Sequence, residues 1–420
     1  MKTKTASKPL LMLLRLGQLL WVRVALMAVL AVVASATAIF FENTIPDTLT
    51  QRFTPDAVMP ILTILASSML AVSTFSLNVM VSAHNAAAAQ ATPRVHRILL
   101  ADTTTQTVLA TFIGAFVYAL TSIILFKAQL HGPGAAVTVL AFTVVVVVLV
   151  ILAMLRWIDH LSDLSSMETS LRATERAARD SLIHTKSEPA LRALPLTPDT
   201  VIPDDAQPIG APRSGFLQFI DLPRLSAALG KSQARVYIHT APGAYVLQGQ
   251  PIAYAAGLSD ALIKKIQACL TIGDTRTFEQ DATYGLLVLS EIGSRALSPG
   301  VNDPGTAIDV IARQQGLLWD WVHTPLNEDP PKFDRIFVPD THPKDLIDKA
   351  YGSIARDGAG TLEVVQHLLA ALEPLTTCPD KALAQAARDM ANRARAYADK
   401  ALPLVSEKAS LRRPDDAAGG

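Results

Sequence analysis

The chain has 420 residues, of which 50% are hydrophobic and 18% are charged, and its formal net charge is zero. A neutral chain has no bulk field to attract nucleic acid, which argues against nucleic-acid binding. Cys269 and Cys378, its two cysteines, do not stand in CxxC spacing, which argues against a structural zinc site or a disulfide framework.

Most charged residues lie after Arg156, whereas a soluble protein spreads its charge because every surface helix needs a polar face. Crossing a hydrocarbon core takes about 20 mostly apolar residues. Segments of about this length without acidic or basic side chains are Val24–Phe41, Pro60–Ala83, Thr103–Phe126 and Ala135–Leu155. The sequence therefore predicts four transmembrane helices within residues 1–157.

Basic residues predict the orientation of these helices, because cytoplasmic loops carry an excess of lysine and arginine. The opposite loops hold only Arg52 and Lys127. The basic residues on the predicted cytoplasmic side are Lys2, Lys4, Lys8, Arg15, Arg23, Arg94, Arg97, Arg156, Arg172, Arg176 and Arg179. Both termini are therefore predicted to be cytoplasmic, in a multi-pass protein of the inner membrane.

The start of the chain has a second interpretation, because the small residues Ala34–Ala38 follow a basic start and an apolar stretch, as in a secretory signal peptide. The apolar run continues through Phe41, past the point of cleavage. A retained membrane helix is the preferred interpretation.

The second apolar segment carries polar residues on one predicted helix face. They are Thr63, Ser67, Thr74, Asn78, Ser82 and Asn85, at spacings of four, seven, four, four and three. Such side chains in a bilayer usually turn toward other helices or toward water. Hydrogen bonding between helices is the preferred interpretation, and the lining of a pore is the alternative.

The region after the apolar segments is predicted to form a cytoplasmic α+β domain at residues 214–405, mostly helical with a small β-sandwich-like part. Residues 158–186 carry leucines opposite a charged face, which predicts that the fourth helix continues into the cytoplasm. Closely spaced prolines in residues 187–213 predict a linker. Residues 406–420 are predicted to be a disordered tail.

The segment Pro242–Ile252 resembles the PGDxVxxGQPL turn of biotinyl- and lipoyl-type β-sandwich domains. No lysine is available at a hairpin tip, so the resemblance is taken as structural and no cofactor is predicted. HExxH, GxSxG, Walker A and GxGxxG motifs are also absent from the sequence. Neither catalytic residues nor metal ligands are therefore predicted.

Two segments carry a more specific resemblance. Arg276–Asp281 reads R-T-F-E-Q-D, and Ala296–Ala307 reads A-L-S-P-G-V-N-D-P-G-T-A. Both are similar to segments of a bacterial family of predicted membrane proteins of unknown function, and Thr92–Arg94 is similar to its S-P-R segment. The resemblance extends from about the first helix to Gly358. It implies the architecture and leaves the activity open.

The second of these segments predicts a corner between two helices. Ser298–Gly300 should end the first helix, because a residue before proline avoids the α conformation and Gly300 is free to adopt positive φ. Asn302 or Asp303 should cap the next helix, with Pro304 in its first turn. The alternative is a ligand pocket at this helix N-terminus. Its predicted residues are Arg276, Glu279, Arg295, Ser298, Asn302, Asp303 and Thr306.

Three functions are consistent with these patterns. The first is a homo-oligomeric channel or transport-like pore with a cytoplasmic regulatory domain. The second is a membrane-anchored sensor that binds a small ligand, an ion or a partner. An enzyme ranks last, because no motif assembles a nucleophile, a base and metal ligands. The expected partners are the lipid bilayer, further copies of the chain and an unidentified small ligand or ion.

Overall fold

A computed structural model of the protein describes residues 20–41, 49, 52–90, 94–95, 103–130, 134–164, 166–230, 232–256 and 259–411. The basic residues before position 19, together with Thr92 and Pro93, lie outside these described residues. The chain divides into two compact units, an N-terminal unit that ends at Ser170 and a C-terminal unit that begins at Leu171.

The N-terminal unit contains a long helix at each predicted apolar segment. Its helices are α1 (Leu20–Phe41), α2 (Pro55–Gln90), α3 (Thr103–Lys127) and α4 (Ala135–Leu164). By length and composition, three helices among the described residues are able to cross a membrane, with spans at Pro55–Ser82, Thr104–Lys127 and Ala135–His160. The first predicted segment coincides with α1, which has 22 residues.

Large apolar side chains form the core of this unit. Leu62, Phe112 and Tyr118 are fully buried. The Tyr118 hydroxyl donates a hydrogen bond of 2.8 Å to the Val139 carbonyl, which links α3 to α4. Because burying a hydroxyl without a partner is costly, this bond fixes the position of α3 against α4.

The predicted helical extension at residues 158–186 is divided between two helices, because α4 ends at Leu164 and a separate helix, α5, covers Met167–Ser187. The Ser166 hydroxyl accepts a hydrogen bond of 3.0 Å from the Thr169 N–H. Serine competes in this way for the backbone donors of a helix and favours the start of a new one. The predicted apolar face is confirmed at Leu171 and Leu182, which are buried.

The C-terminal unit contains the remaining helices and strands. Strands and helices alternate in its first half, and helices predominate in its second half. Its strands are β1 (Ala193–Pro195), β2 (Gln207–Gly210), β3 (Gly215–Ile220), β4 (Val236–Ile238), β5 (Tyr245–Val246), β6 (Pro251–Ala255), β7 (Leu270–Gly273) and β8 (Phe333–Val338). Its further helices are α6 (Leu222–Leu229), α7 (Asp260–Cys269), α8 (Ala282–Ala296), α9 (Pro304–His323), α10 (Pro343–Asp357), α11 (Leu362–Leu372), α12 (Lys381–Ala401) and α13 (Val405–Ser410).

The strands form two sheets around one apolar core. The first is five-stranded, in the order β1-β8-β4-β6-β2, and the second is three-stranded, in the order β5-β3-β7. In the first sheet β8 is parallel to β1 and β4, whereas the β4–β6 and β2–β6 pairs are antiparallel. Buried residues of both sheets, among them Leu217 and Ile252, belong to one cluster with Leu225 of α6 and Ile266 of α7.

The proline-rich stretch at residues 187–213 is not the predicted linker, because it contributes β1 and β2 to the five-stranded sheet. These two strands lie at opposite edges of the sheet. Pro195 and Pro208 lie within them. An edge strand leaves part of its backbone without a ladder partner, so it tolerates a residue that lacks an N–H.

Helix α8 packs against α9 and α10, and its residues Leu286 and Leu289 are fully buried. Helix α11 packs against α9, and α12 packs against α10 and α11. Helix α5 approaches α8 closely, since a Cβ added at Gly285 would lie 2.6 Å from the Ala178 Cα. At the end of the chain, the first residues of the predicted disordered tail belong to the short helix α13. Leu411 packs against Leu402 of the α12 end, and residues 412–420 lie outside the described residues.

Candidate functional site

The polar stripe on α2 lies on the outer surface of the N-terminal unit. All six predicted stripe residues are exposed, and none packs into the core that α2 forms with the other described helices. Among the described helices of one chain, the stripe residues therefore do not form the interhelical hydrogen bonds of the preferred interpretation. The six residues are Thr63, Ser67, Thr74, Asn78, Ser82 and Asn85.

Three of the stripe hydroxyls differ from the Asn78 carboxamide in their hydrogen bonding. Thr63, Ser67 and Thr74 each donate to a carbonyl of the preceding turn, at 2.9, 3.1 and 2.9 Å. The Asn78 carboxamide makes no hydrogen bond within the part of the chain that the structure describes. On the same face it lies between the stripe residues Thr74 and Ser82, and the exposed apolar side chains of Phe75 (64% accessible) and Val81 (49% accessible) flank it. Asn78 therefore presents a carboxamide without an intrachain partner among exposed apolar side chains.

The predicted corner is present between α8 and α9, and Asp303 is the cap. Its carboxylate accepts a hydrogen bond of 3.1 Å from the Thr306 N–H and one of 2.5 Å from the Thr306 hydroxyl. These bonds hold the pKa of Asp303 below its ordinary value. Pro304 occupies the first turn of α9, as predicted.

The turn itself departs from the prediction in its backbone. Asn302, with φ of 50°, adopts the left-handed conformation that was predicted for Gly300. Asparagine tolerates this conformation better than most residues. The Ser298 hydroxyl donates to the Arg295 carbonyl at 2.6 Å, and the Asp303 N–H donates to the Ala296 carbonyl at 2.8 Å. The polar groups of the corner thus stabilise the turn itself.

Arg276 lies at the opposite end of α8 from this corner. Helix α8 has 15 residues, so its ends are separated by about 21 Å at 1.5 Å per residue. Glu279 is half-buried in the same segment as Arg276, before the helix begins. The structure therefore divides the predicted pocket into two places and does not bring Arg276 or Glu279 to the corner.

Arg276 forms a buried ion pair with Asp281, the residue that precedes α8. Arg276 Nε donates to Asp281 Oδ2 at 2.7 Å, and Arg276 Nη2 donates to Asp281 Oδ1 at 2.9 Å. The Thr283 hydroxyl accepts from Arg276 Nη2 at 2.8 Å and donates to Asp281 Oδ1 at 2.9 Å. The Asp281 side chain is only 4% exposed. Burial raises the pKa of Asp281, and the Arg276 guanidinium opposes that rise.

Two further contacts attach this segment to the sheets. The Gln280 amide accepts from the Ile220 N–H at 2.8 Å and donates to the Ile220 carbonyl at 3.1 Å. Gly243, in the loop before β5, lies against the ion pair, since a Cβ added there would be 2.6 Å from the Asp281 Cγ and closer still to Oδ2. The R-T-F-E-Q-D segment and the Pro-Gly turn, which are far apart in the sequence, thus form one structural unit.

A cavity of about 320 Å³ opens beside this unit. Arg276, Asp281 and Thr283 line one side, and the start of α10 lines another with Asp345 and Lys349. Its wall also includes the loop at residues 241–244 and the segment that follows β8. Sequence reasoning missed this site, because no local pattern indicates that residues 243, 281 and 349 come together.

Comparisons with known proteins give a family and no activity. A family described as "Predicted membrane protein (DUF2254)" matches residues 18–374. The uncharacterized protein Rv1290c of Mycobacterium tuberculosis and the uncharacterized protein Mb1321c of Mycobacterium bovis are each 28% identical to this chain over 284 residues. The match covers 64% of this chain and 53% of each relative, so the chain spans about half the length of these curated relatives. No solved structure matches the chain significantly.

Proposed function

The chain belongs to the DUF2254 family of predicted membrane proteins, and from this premise we propose that it is a homo-oligomeric, transport-like pore of the bacterial inner membrane with a cytoplasmic regulatory domain. The observation that carries the proposal is the exposed Asn78 carboxamide, which makes no hydrogen bond within the described part of the chain and is flanked by the exposed apolar side chains of Phe75 and Val81 on α2. In hydrocarbon, such a group costs several kcal/mol. Since the described residues of its own chain supply no partner, a second copy or water can satisfy it.

A closed ring formed by several copies of the chain supplies Asn78 with both kinds of partner, a second copy and water. In a ring, the same face of α2 from each protomer points toward the symmetry axis. Asn78 then contacts water in the pathway or the same residue of its neighbours, while exposed Phe75 and Val81 pack between protomers. The hydroxyls of Thr63, Ser67 and Thr74 already bond to their own helix. They therefore line a polar path without requiring further partners.

Replacing Asn78 with leucine tests this proposal. We expect Asn78→Leu to reduce solute or ion flux through reconstituted liposomes and to alter the oligomer mass measured by native mass spectrometry. Leu77→Ala, a change at an adjacent exposed position outside the stripe, is the matched control and should change neither. A changed mass with unchanged flux would limit the stripe to packing between copies, and unchanged mass and flux would overturn both roles.

The proposed topology has four spans, with α1 as the first. Its 22 residues extend about 33 Å at 1.5 Å per residue, close to the roughly 30 Å of a bilayer core. The excess of basic residues on one side supports cytoplasmic termini.

Cysteines introduced at Asp47 and Gly132, both outside the described residues, should react with an impermeant maleimide in intact cells. Cys269 and Cys378 are buried and give little background. The control is a cysteine at exposed Val201 in the C-terminal unit, which should stay unlabelled until the cells are opened. Protection at both loop positions would contradict the topology.

A membrane-anchored binding module is the second candidate, and the cavity beside Arg276 favours it. The cavity volume of about 320 Å³ lies at the lower end of the range typical of small-molecule sites. Helices that serve only as an anchor need no symmetry axis, so a monomeric protein in lipid that binds its ligand and conducts no solute would favour this candidate over the pore.

A further inference from the structure

The cavity beside Arg276 lies where several parts of the C-terminal unit meet. Helices α8 and α10 both begin at it, and Thr185 near the end of α5 also contributes to its wall. The remaining wall comes from the loop before β5 and from the segment after β8. Sites between structural parts are common places for small ligands, because several elements contribute groups to one enclosed volume.

Two of the charged side chains in the cavity form an ion pair with each other, and other charged side chains there still have groups available for a ligand. Arg276 and Asp281 neutralise each other, and the Asp281 oxygens are occupied by Arg276 and Thr283. Within the described part of the chain, neither Lys349 nor Asp345 forms an ion pair or a side-chain hydrogen bond. Asp340 uses only Oδ1, which accepts from the N–H groups of Thr341 at 2.8 Å and Ala190 at 3.4 Å. Cationic and anionic groups thus remain available on the same wall.

This combination excludes several ligand classes. A polyphosphate is disfavoured by the two available carboxylates and by the small volume. A metal ion is disfavoured because no cluster of three or more His, Cys, Asp or Glu suited to a metal occurs among the residues that the structure describes. A quaternary ammonium group binds through aromatic rings, and the cavity wall contains no Phe, Tyr or Trp.

We propose that this cavity binds a small zwitterion with a carboxylate and an N–H-bearing ammonium group, the chemical class of the free amino acids. Lys349 and the remaining Nη1 donors of Arg276 bind the carboxylate, and Asp345 and Asp340 bind the ammonium group. The N-terminal ends of α8 and α10 add backbone dipoles that favour the carboxylate. The cavity is then the ligand site of the regulatory domain proposed above.

Thermal unfolding of the full-length chain in detergent tests the ligand class. The probes are the individual proteinogenic L-amino acids, with glycine betaine, putrescine and inorganic phosphate as comparisons. We expect at least one amino acid to raise the unfolding temperature saturably, and the three comparison compounds to have no effect. The proposal is overturned if no amino acid stabilises the protein, or if phosphate, putrescine or betaine stabilises it equally.

Two exposed wall residues test the location without endangering the fold. We expect Lys349→Met and Asp345→Asn each to weaken the binding of the stabilising amino acid about tenfold or more, because each removes a hydrogen bond to a charged group. Lys344→Met is the matched control, since Lys344 is exposed on the same helix, pairs with Asp348 and does not line the cavity. Unchanged affinity in both test variants would place the ligand elsewhere. Binding is measured without flux, so this result is independent of the Asn78 experiment.

Discussion

Replacing Gly243 with alanine is expected to lower the unfolding temperature of the C-terminal unit by roughly 10 °C, which corresponds to about 4 kcal/mol. Two causes act together. Gly243 has φ of 91°, where an L side chain is strained, and the added Cβ would lie 2.6 Å from the Asp281 Cγ and 3.1 Å from Arg276 Nη2. The buried ion pair must therefore separate or the loop must move. Thermal unfolding of the full-length protein in detergent measures the effect.

Gly249→Ala separates the two causes. Gly249 has a similar φ of 79°, but a Cβ added there meets nothing within 4 Å. This variant should therefore show only the backbone penalty, about 1 kcal/mol. If both alanine variants lose the same stability, the close approach of Gly243 to the ion pair is not important for the fold.

Arg276→Met is the second change with a large expected effect. It removes the partner of a carboxylate that is only 4% exposed, and breaking a buried pair from one side costs about 3–5 kcal/mol. The double variant Arg276→Met, Asp281→Asn should recover part of this loss, because asparagine leaves no unpaired charge in the buried site. Equal losses in the single and double variants would contradict an origin in the unpaired charge.

The Arg276→Met variant should also become more stable as the pH falls below neutrality. Burial raises the pKa of Asp281 in the folded protein, and loss of Arg276 removes a contribution that lowers it. The folded variant then holds a proton that the unfolded chain has released. Stability is therefore greatest below the unfolded pKa and is lost as the pH rises through the folded pKa. Unfolding curves at acidic and neutral pH measure this difference.

The helices of the N-terminal unit could be predicted because each apolar segment is long and free of charge. The strands were harder to predict, since only weak local patterns in the sequence mark where each strand begins and ends. Tyr245–Val246 and Pro251–Ala255, for example, are the separate strands β5 and β6, although only four residues lie between them. Gly249 causes the division, because its positive φ allows a tight turn between them.

The candidate site was predicted only in part, because some of its contacts join residues close in sequence and others join residues far apart. The Asp303 cap depends on two residues only three positions apart, so the local sequence was sufficient to predict it. The contact between Gly243 and Asp281 joins segments almost forty positions apart, and no periodicity encodes it. The Asn78 stripe was found by helical spacing, but its direction depends on which face of α2 the other helices cover.

The prolines in the two edge strands have a consequence for aggregation. Exposed edge strands can recruit a strand from another molecule and so extend a sheet without limit. Pro195 in β1 and Pro208 in β2 lack the N–H that such a recruited strand would need, and both strands are short. The five-stranded sheet is thereby closed to growth at both ends. A protein concentrated in a two-dimensional membrane thus keeps the five-stranded sheets of its copies from joining through their backbones.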